Sequence, residues 1–155
     1  RRRFSLDGSL ANRGRLRTPV PRSDHRFGTG KKRLEARCKW HFGGGPDYCA
    51  SCQDSGLPCA RGERNAEGEL CPYRQHEPQS FEGWQAWDLA LRCGGQLRLT
   101  QMVAIGMDFS AALQMAAALG HDAYATAEFL PAIETGTTSA FNEKLSSEMK
   151  THGRT

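Results

Sequence analysis

Five of the six cysteines fall between residues 38 and 71, in CKWHFGGGPDYCASCQDSGLPC and the stretch just after it. Gly43, Gly44, Gly45, Gly56, Gly62 and Gly68, with Pro46, Pro58, Pro72 and Pro78, interrupt the same region. Over residues 38–78 turns therefore dominate, and there is little apolar surface to bury. A segment so poor in core needs a cross-link or a metal if it is to be ordered.

Cys49-x2-Cys52 has the spacing of a zinc knuckle, in which two thiolates on one tight turn reach a single tetrahedral ion. Cys59 and Cys71 follow after six and eleven intervening residues and complete a set of four thiolates for one structural Zn2+. A competing set pairs the knuckle with Cys38-x2-His41. Structural zinc is closed on all four sides by protein ligands, so either set would fold the chain and would not catalyse. Reduced thiols in a loose loop and disulfides are the other two readings of these cysteines. Cys93 reads as an ordinary buried small residue at a helix end.

Charge divides the chain in the same place. Residues 1–37 hold twelve Lys/Arg against three acids, while residues 38–155 hold nine against fourteen. Scattered apolar residues, frequent Gly and Pro and no sustained period give residues 1–37 the look of a disordered basic tail. Arg13, Arg15, Arg17, Lys31, Lys32 and Arg33 could neutralise phosphates, with an affinity that falls steeply as salt rises. A solvated tail has the same composition, and no aromatic ladder runs between the charges to stack bases.

From Phe81 onward helical periodicity sets in. Trp84, Trp87 and Leu91 fall at i, i+3 and i+7 in FEGWQAWDLALRC, with Glu82, Gln85, Asp88 and Arg92 opposite, and Gly94-Gly95 supplies a left-handed stop. Gln96-Leu97-Arg98-Leu99 alternates and reads as one extended strand or arm. Asp108 is an N-cap for a second helix with an inner face of Phe109, Ala112, Leu113, Ala116 and Leu119, ended by Gly120. Asp122 caps a third. Pro131 starts a fourth, because proline fits a first turn and breaks an interior, and its stripe is Ile133, Ala140, Phe141, Leu145 and Met149. The expected fold is mainly α: a small three- or four-helix bundle over 81–150, a Cys/Gly-rich irregular segment over 38–78, and the tail. The 38% hydrophobic content suits a core confined to the bundle.

Function classes can be narrowed. No G-x-x-x-x-G-K-S/T or G-x-G-x-x-G phosphate cradle, H-E-x-x-H or G-x-S-x-G occurs, so the reading is non-enzymatic. No apolar run approaches the roughly 18 residues of a membrane span, and no signal segment follows the N-terminal arginines. No membrane partner is expected, and a reducing compartment is.

Between Gly83 and Lys144, the stretches GWQAWDLALRCGGQLRL, IGMDFSAALQMAAALGHD and ATAEFLPAIETGTTSAFNEK resemble a small uncharacterised family encoded in the tail-gene region of alphaproteobacterial phages and prophages. The pattern runs from Gly83, Trp84 and Trp87 through Gly94 to Arg98, Gly106, Asp108, Leu119-Gly120, Asp122, Leu130-Pro131, Glu134 and Asn142. The resemblance implies a tail assembly chaperone or minor tail component, in the cytoplasm of the bacterial host or in the virion, whose partner is a phage tail protein such as the tape-measure protein. Such chaperones are often made by a ribosomal frameshift, which a chain starting at Arg1 would suit, as would a fragment. Trp84, Trp87, Gln96 and Arg98 are the candidate partner-binding residues, since Trp and Arg dominate binding hot spots and an extended arm offers an edge for a partner strand. Both tryptophans would equally serve as core anchors of so small a bundle. The rival class is a zinc-stapled nucleic-acid-binding protein that grips phosphates through its arginine-rich arm.

Overall fold

The computed structural model describes residues 25–55 and 70–152. In chain order these form helices α1 (His25–Phe42), α2 (Gly45–Ser55), α3 (Pro72–Gln75) and α4 (Phe81–Cys93), strands β1 (Leu97–Thr100) and β2 (Val103–Met107), then α5 (Phe109–Ala118) and α6 (Ala123–His152). The fold is mainly α, and α6 is its axis: α1, α4, α5 and β2 all pack on it. No helix among the described residues is long and apolar enough to cross a membrane.

Polar caps set the helix starts. Ser80 accepts the Gly83 N–H at 3.0 Å to open α4. Asp108 accepts from Ser110 and Ala111 at 2.9 and 3.1 Å to open α5, and Asp122 accepts from Ala125 at 2.6 Å to open α6. Each takes up N–H groups with no partner inside the first turn. Gly120, at φ +70°, ends the α5 segment in the left-handed conformation expected of it.

Residues 25–37 depart from the disordered tail expected of them and form most of α1. Phe27, Leu34 and Cys38, at i, i+7 and i+11, lie buried against α6. Such a helix is marginal alone and is stabilised by the surface it covers. The contact is close because small residues line it. A Cβ at Gly30 would sit 3.3 Å from the Phe129 ring, and one at Gly136 would meet the Glu35 carbonyl and stand 2.8 Å from the Cys38 Cβ. Lys31 to Glu128 (2.6 Å) and Lys39 to Glu143 (2.7 Å) tie the rims of the two helices. Residues 1–24, with Arg13, Arg15 and Arg17, lie outside the described residues.

Other expectations shift as well. The segment 38–78 is less irregular than its glycines suggest: α1 runs through its start, and α2 and α3 follow. Pro131 begins no new helix and sits inside α6. It is exposed, while Phe129, Leu130, Ala132 and Ile133 around it are buried. Burial of those four side chains outweighs the roughly 3 kcal/mol cost of an interior proline. On α4 the buried face carries Ala86, Trp87, Leu89, Ala90 and Cys93, leaving Trp84 and Leu91 at 41% and 46% exposure. On α5 only Ala112 and Ala116 are buried. Gly94 has right-handed φ, −57°; what needs glycine there is Phe42, whose ring would lie 2.6 Å from a Cβ.

The single extended arm expected at Gln96–Leu99 is the first half of a hairpin. β1 and β2 pair antiparallel, Leu97 with Met107, Arg98 with Gly106, Leu99 with Ala104 and Thr100 with Val103, with a bulge between the last two pairs and the first two. The two-residue turn has positive φ at both Gln101 (45°) and Met102 (67°), the pattern of a type I′ turn. Neither residue is a glycine or asparagine, so each position costs about 1–3 kcal/mol.

Candidate functional site

Two places concentrate unusual chemistry. One is the space between α1, α3 and α4. Arg37, on the inner stripe of α1, is 1% exposed. Its guanidinium carbon lies 4.5 Å from the Tyr73 and Trp87 ring centroids and 5.6 Å from that of Trp84. Nη1 donates to the Tyr73 carbonyl at 2.7 Å. Nε and Nη2 have no hydrogen-bond partner. Stacking on ring faces attracts a cation, yet buried N–H groups without acceptors are costly.

The neighbours feel this charge. Burial and the Arg37 charge hold the His41 imidazole below its usual range, and burial, Arg33 and Arg37 do the same at His76. The His41 ring stands edge-on to Trp87 at 5.1 Å. Trp40 links the small helices, 6.4 Å from the Tyr48 ring on α2 and 5.9 Å from Tyr73 on α3.

The cysteines divide by depth. Cys38, an alternate ligand by spacing, is fully buried between α1 and α6, and burial pushes its thiol up to about 12. It belongs to the core. Cys93 is buried likewise. Cys49 lies within electrostatic reach of Cys71 and Arg37, and burial raises its thiol. Cys38, Cys49, Cys71 and Cys93 are free thiols, Cys52 is disulfide-bonded, and Cys59 lies outside the described residues. In this state no three His, Cys, Asp or Glu side chains converge as a metal-holding group among the described residues.

The second place is the hairpin. In an antiparallel pair, residues alternate between exchanging both backbone bonds with their partner and directing them outward. Thr100 and Val103 flank the turn and Asp108 donates to the Gln96 carbonyl at 2.9 Å, so Leu97/Met107 and Leu99/Ala104 are the outward pairs. On the β2 side those groups are taken. Asn142 accepts the Ala104 N–H at 2.8 Å and donates to its carbonyl at 3.0 Å, and Glu134 accepts the Met107 N–H at 2.8 Å. Gly106 makes room for this, since a Cβ there would lie 2.7 Å from the Glu134 carboxylate and 2.8 Å from the Arg98 guanidinium. On the β1 side, no described residue bonds the outward backbone groups of Leu97 and Leu99, and among the described residues that edge is open.

Apolar side chains surround that edge. Leu99, Met102, Val103 and Ile105 are 54%, 70%, 44% and 61% exposed. A groove of about 260 Å³ lined by Phe42, Leu97, Phe141 and Leu145 adjoins the start of β1. Gln96 and Arg98 are exposed, with the Arg98 guanidinium lying over Gly106 of β2 and not on the open edge. Trp84 and Trp87 stand instead beside Arg37, Trp87 buried and Trp84 partly exposed. The hairpin tip escaped the sequence reading because no Asn or Gly marks its turn; the visible signal was Met102-Val103-Ala104-Ile105, an apolar run beside a strand too short to bury it.

Of the basic residues suggested for phosphate binding, Lys31 is paired with Glu128 and Arg33 donates to the Gln75 carbonyl at 2.8 Å, while Lys32 is exposed. Residues 101–150, from the hairpin turn almost to the end of α6, match the model of a family of unknown function, DUF7697. No curated protein and no solved structure matches the chain.

Proposed function

We propose that the protein is a non-enzymatic binding protein that takes an extended segment of a partner chain onto the open edge of β1. Its biological setting is that of a tail assembly chaperone or minor tail component of a phage or prophage, in the bacterial host cytoplasm or the virion, with a tail protein such as the tape-measure protein as partner. The observation that carries this reading is the asymmetry of the hairpin: α6 side chains close the β2 edge, and among the described residues the β1 edge is open, with four exposed apolar residues around the hairpin tip. Natural edge strands are usually covered, bulged or guarded by charge because an open edge recruits another strand. An added strand would take its affinity from the Leu97 and Leu99 backbone groups and its selectivity from apolar side chains at alternate positions.

Co-purification with the tape-measure protein of the same gene region, followed by titration, tests this. Leu99→Pro removes one outward N–H and leaves the β1–β2 ladder intact, since proline is tolerated where a strand faces solvent. Ile105→Asp places a charge on the apolar tip. Each variant is expected to weaken binding about tenfold or more, the equivalent of about 1.4 kcal/mol, with the helical circular dichroism unchanged. Equal affinity in both would contradict strand addition. The nucleic-acid alternative, which draws on Lys31, Lys32 and Arg33, gains no support from the partners that Lys31 and Arg33 already hold.

A further inference from the structure

The two idle donors of Arg37 are not an arbitrary pair. Nη1 donates to the Tyr73 carbonyl at 2.7 Å, while Nε and Nη2, both buried, have no hydrogen-bond partner. In a planar guanidinium the Nε–H and one Nη2–H run parallel along a single edge, at the spacing of the two oxygens of a carboxylate. The unused edge is therefore a whole bidentate fork. No ion pair joins Arg37 to a carboxylate among the described residues, and Glu77, just beyond α3, is held by Arg74 at 4.0 Å. A charge taken out of water without a counter-ion is costly, so the fold keeps this fork at the expense of stability.

Aromatic rings fix the fork and also cover it. The Tyr73 and Trp87 centroids lie 4.5 Å from the guanidinium carbon and that of Trp84 lies 5.6 Å away. Trp87 is buried, whereas Tyr73 and Trp84 are exposed. The cover on the solvent side is thus two side chains, and α3, which carries Tyr73, buries none of its four residues. Rotation of either ring opens the fork without unfolding a helix. The surroundings also select among anions. A tetrahedral phosphate or sulfate would turn its remaining oxygens toward aromatic neighbours. A carboxylate engages both of its oxygens on the fork and sets its carbon substituent among the rings, where apolar surface is favoured.

We propose that the Nε/Nη2 edge of Arg37 is a carboxylate-binding site, entered between Tyr73 and Trp84. A small organic acid and the acidic side chain of a bound chain present the same group to it. The site is independent of the β1 edge and of the reading given to that edge.

Heteronuclear NMR of the full chain follows the Arg37 Nε–H directly while acetate is added at fixed ionic strength, with chloride as the control anion. Acetate is expected to move this proton downfield in a saturable way and to change the tryptophan fluorescence in parallel; chloride is expected to do neither. Arg37→Lys keeps the charge and removes the fork, and should raise the half-saturating acetate concentration, read by fluorescence, about tenfold or more. The wild-type titration decides should Arg37→Lys fail to fold. N-acetylglutamate α-amide, whose side-chain carboxylate is free, is the second probe. Its binding supports the site and assigns it to acidic side chains; binding of acetate alone supports the site and assigns it to a small free acid. No saturable shift with either probe, or an equal response to chloride, overturns the proposal. An unchanged half-saturation in Arg37→Lys overturns the role of the fork.

Discussion

Asn142 grips Ala104 by both backbone groups, accepting its N–H at 2.8 Å and donating to its carbonyl at 3.0 Å. One amide side chain thus does for β2 what a third strand would do. It fixes which edge of the hairpin is closed and therefore which is open. Asn142→Ala leaves both groups unpaired, and a loss of about 1–3 kcal/mol is expected. Denaturant unfolding gives the magnitude, and faster amide exchange confined to β1 and β2 would locate it. A loss spread evenly over the helices would show that Asn142 supports the fold as a whole.

Close packing of α1 on α6 supplies a second test. Gly136→Ala drives a methyl onto the Glu35 carbonyl and the Cys38 Cβ, and overpacking of this kind costs about 1–3 kcal/mol. At Gly95 nothing lies within 4 Å of a Cβ, so Gly95→Ala should change stability by about 0.5 kcal/mol or less. Thermal melts of the pair compare them directly. Equal effects would mean that α1 does not dock as described.

Acid should weaken the fold through His41. Burial first and the Arg37 charge second lower its pKa in the folded state. The unfolded chain then takes up a proton as pH falls through about 6.5, before the folded chain does. Neutral His41 is accommodated above that value; below it stability declines until the folded form also protonates. Melting temperature should fall between pH 7 and 5, and His41→Gln should flatten that part of the profile. An identical profile in the variant would remove His41 as the cause.

Much of the helical half was legible from local chemistry. Asp108 and Asp122 cap the helices that their side chains announce, and Gly120 turns left where a stop was expected. What escaped depended on distant partners. Phe27, Leu34 and Cys38 make a stripe too sparse to stand out among lysines, arginines and glycines, and it becomes a helix face because α6 offers Phe129 and Gly136 to it. Arg37 looked like one more tail charge, whereas its place on that stripe carries it inside the aromatic cluster. Pro131 pointed to a helix boundary by its local geometry, and burial on either side of it overrode that signal. The alternation at Gln96–Leu99 revealed a strand; the hairpin did not show, because Gln101 and Met102 are poor residues for left-handed backbone.

The open β1 edge is tested most directly by residue-resolved amide exchange of the full chain, alone and with saturating tape-measure protein. Strand addition predicts that the Leu97 and Leu99 amides, which face outward from the ladder, become protected while Arg98 and Thr100, already bonded to β2, change little. Protection that appears on another face, with Leu97 and Leu99 exchanging as fast as in the free protein, would contradict the account.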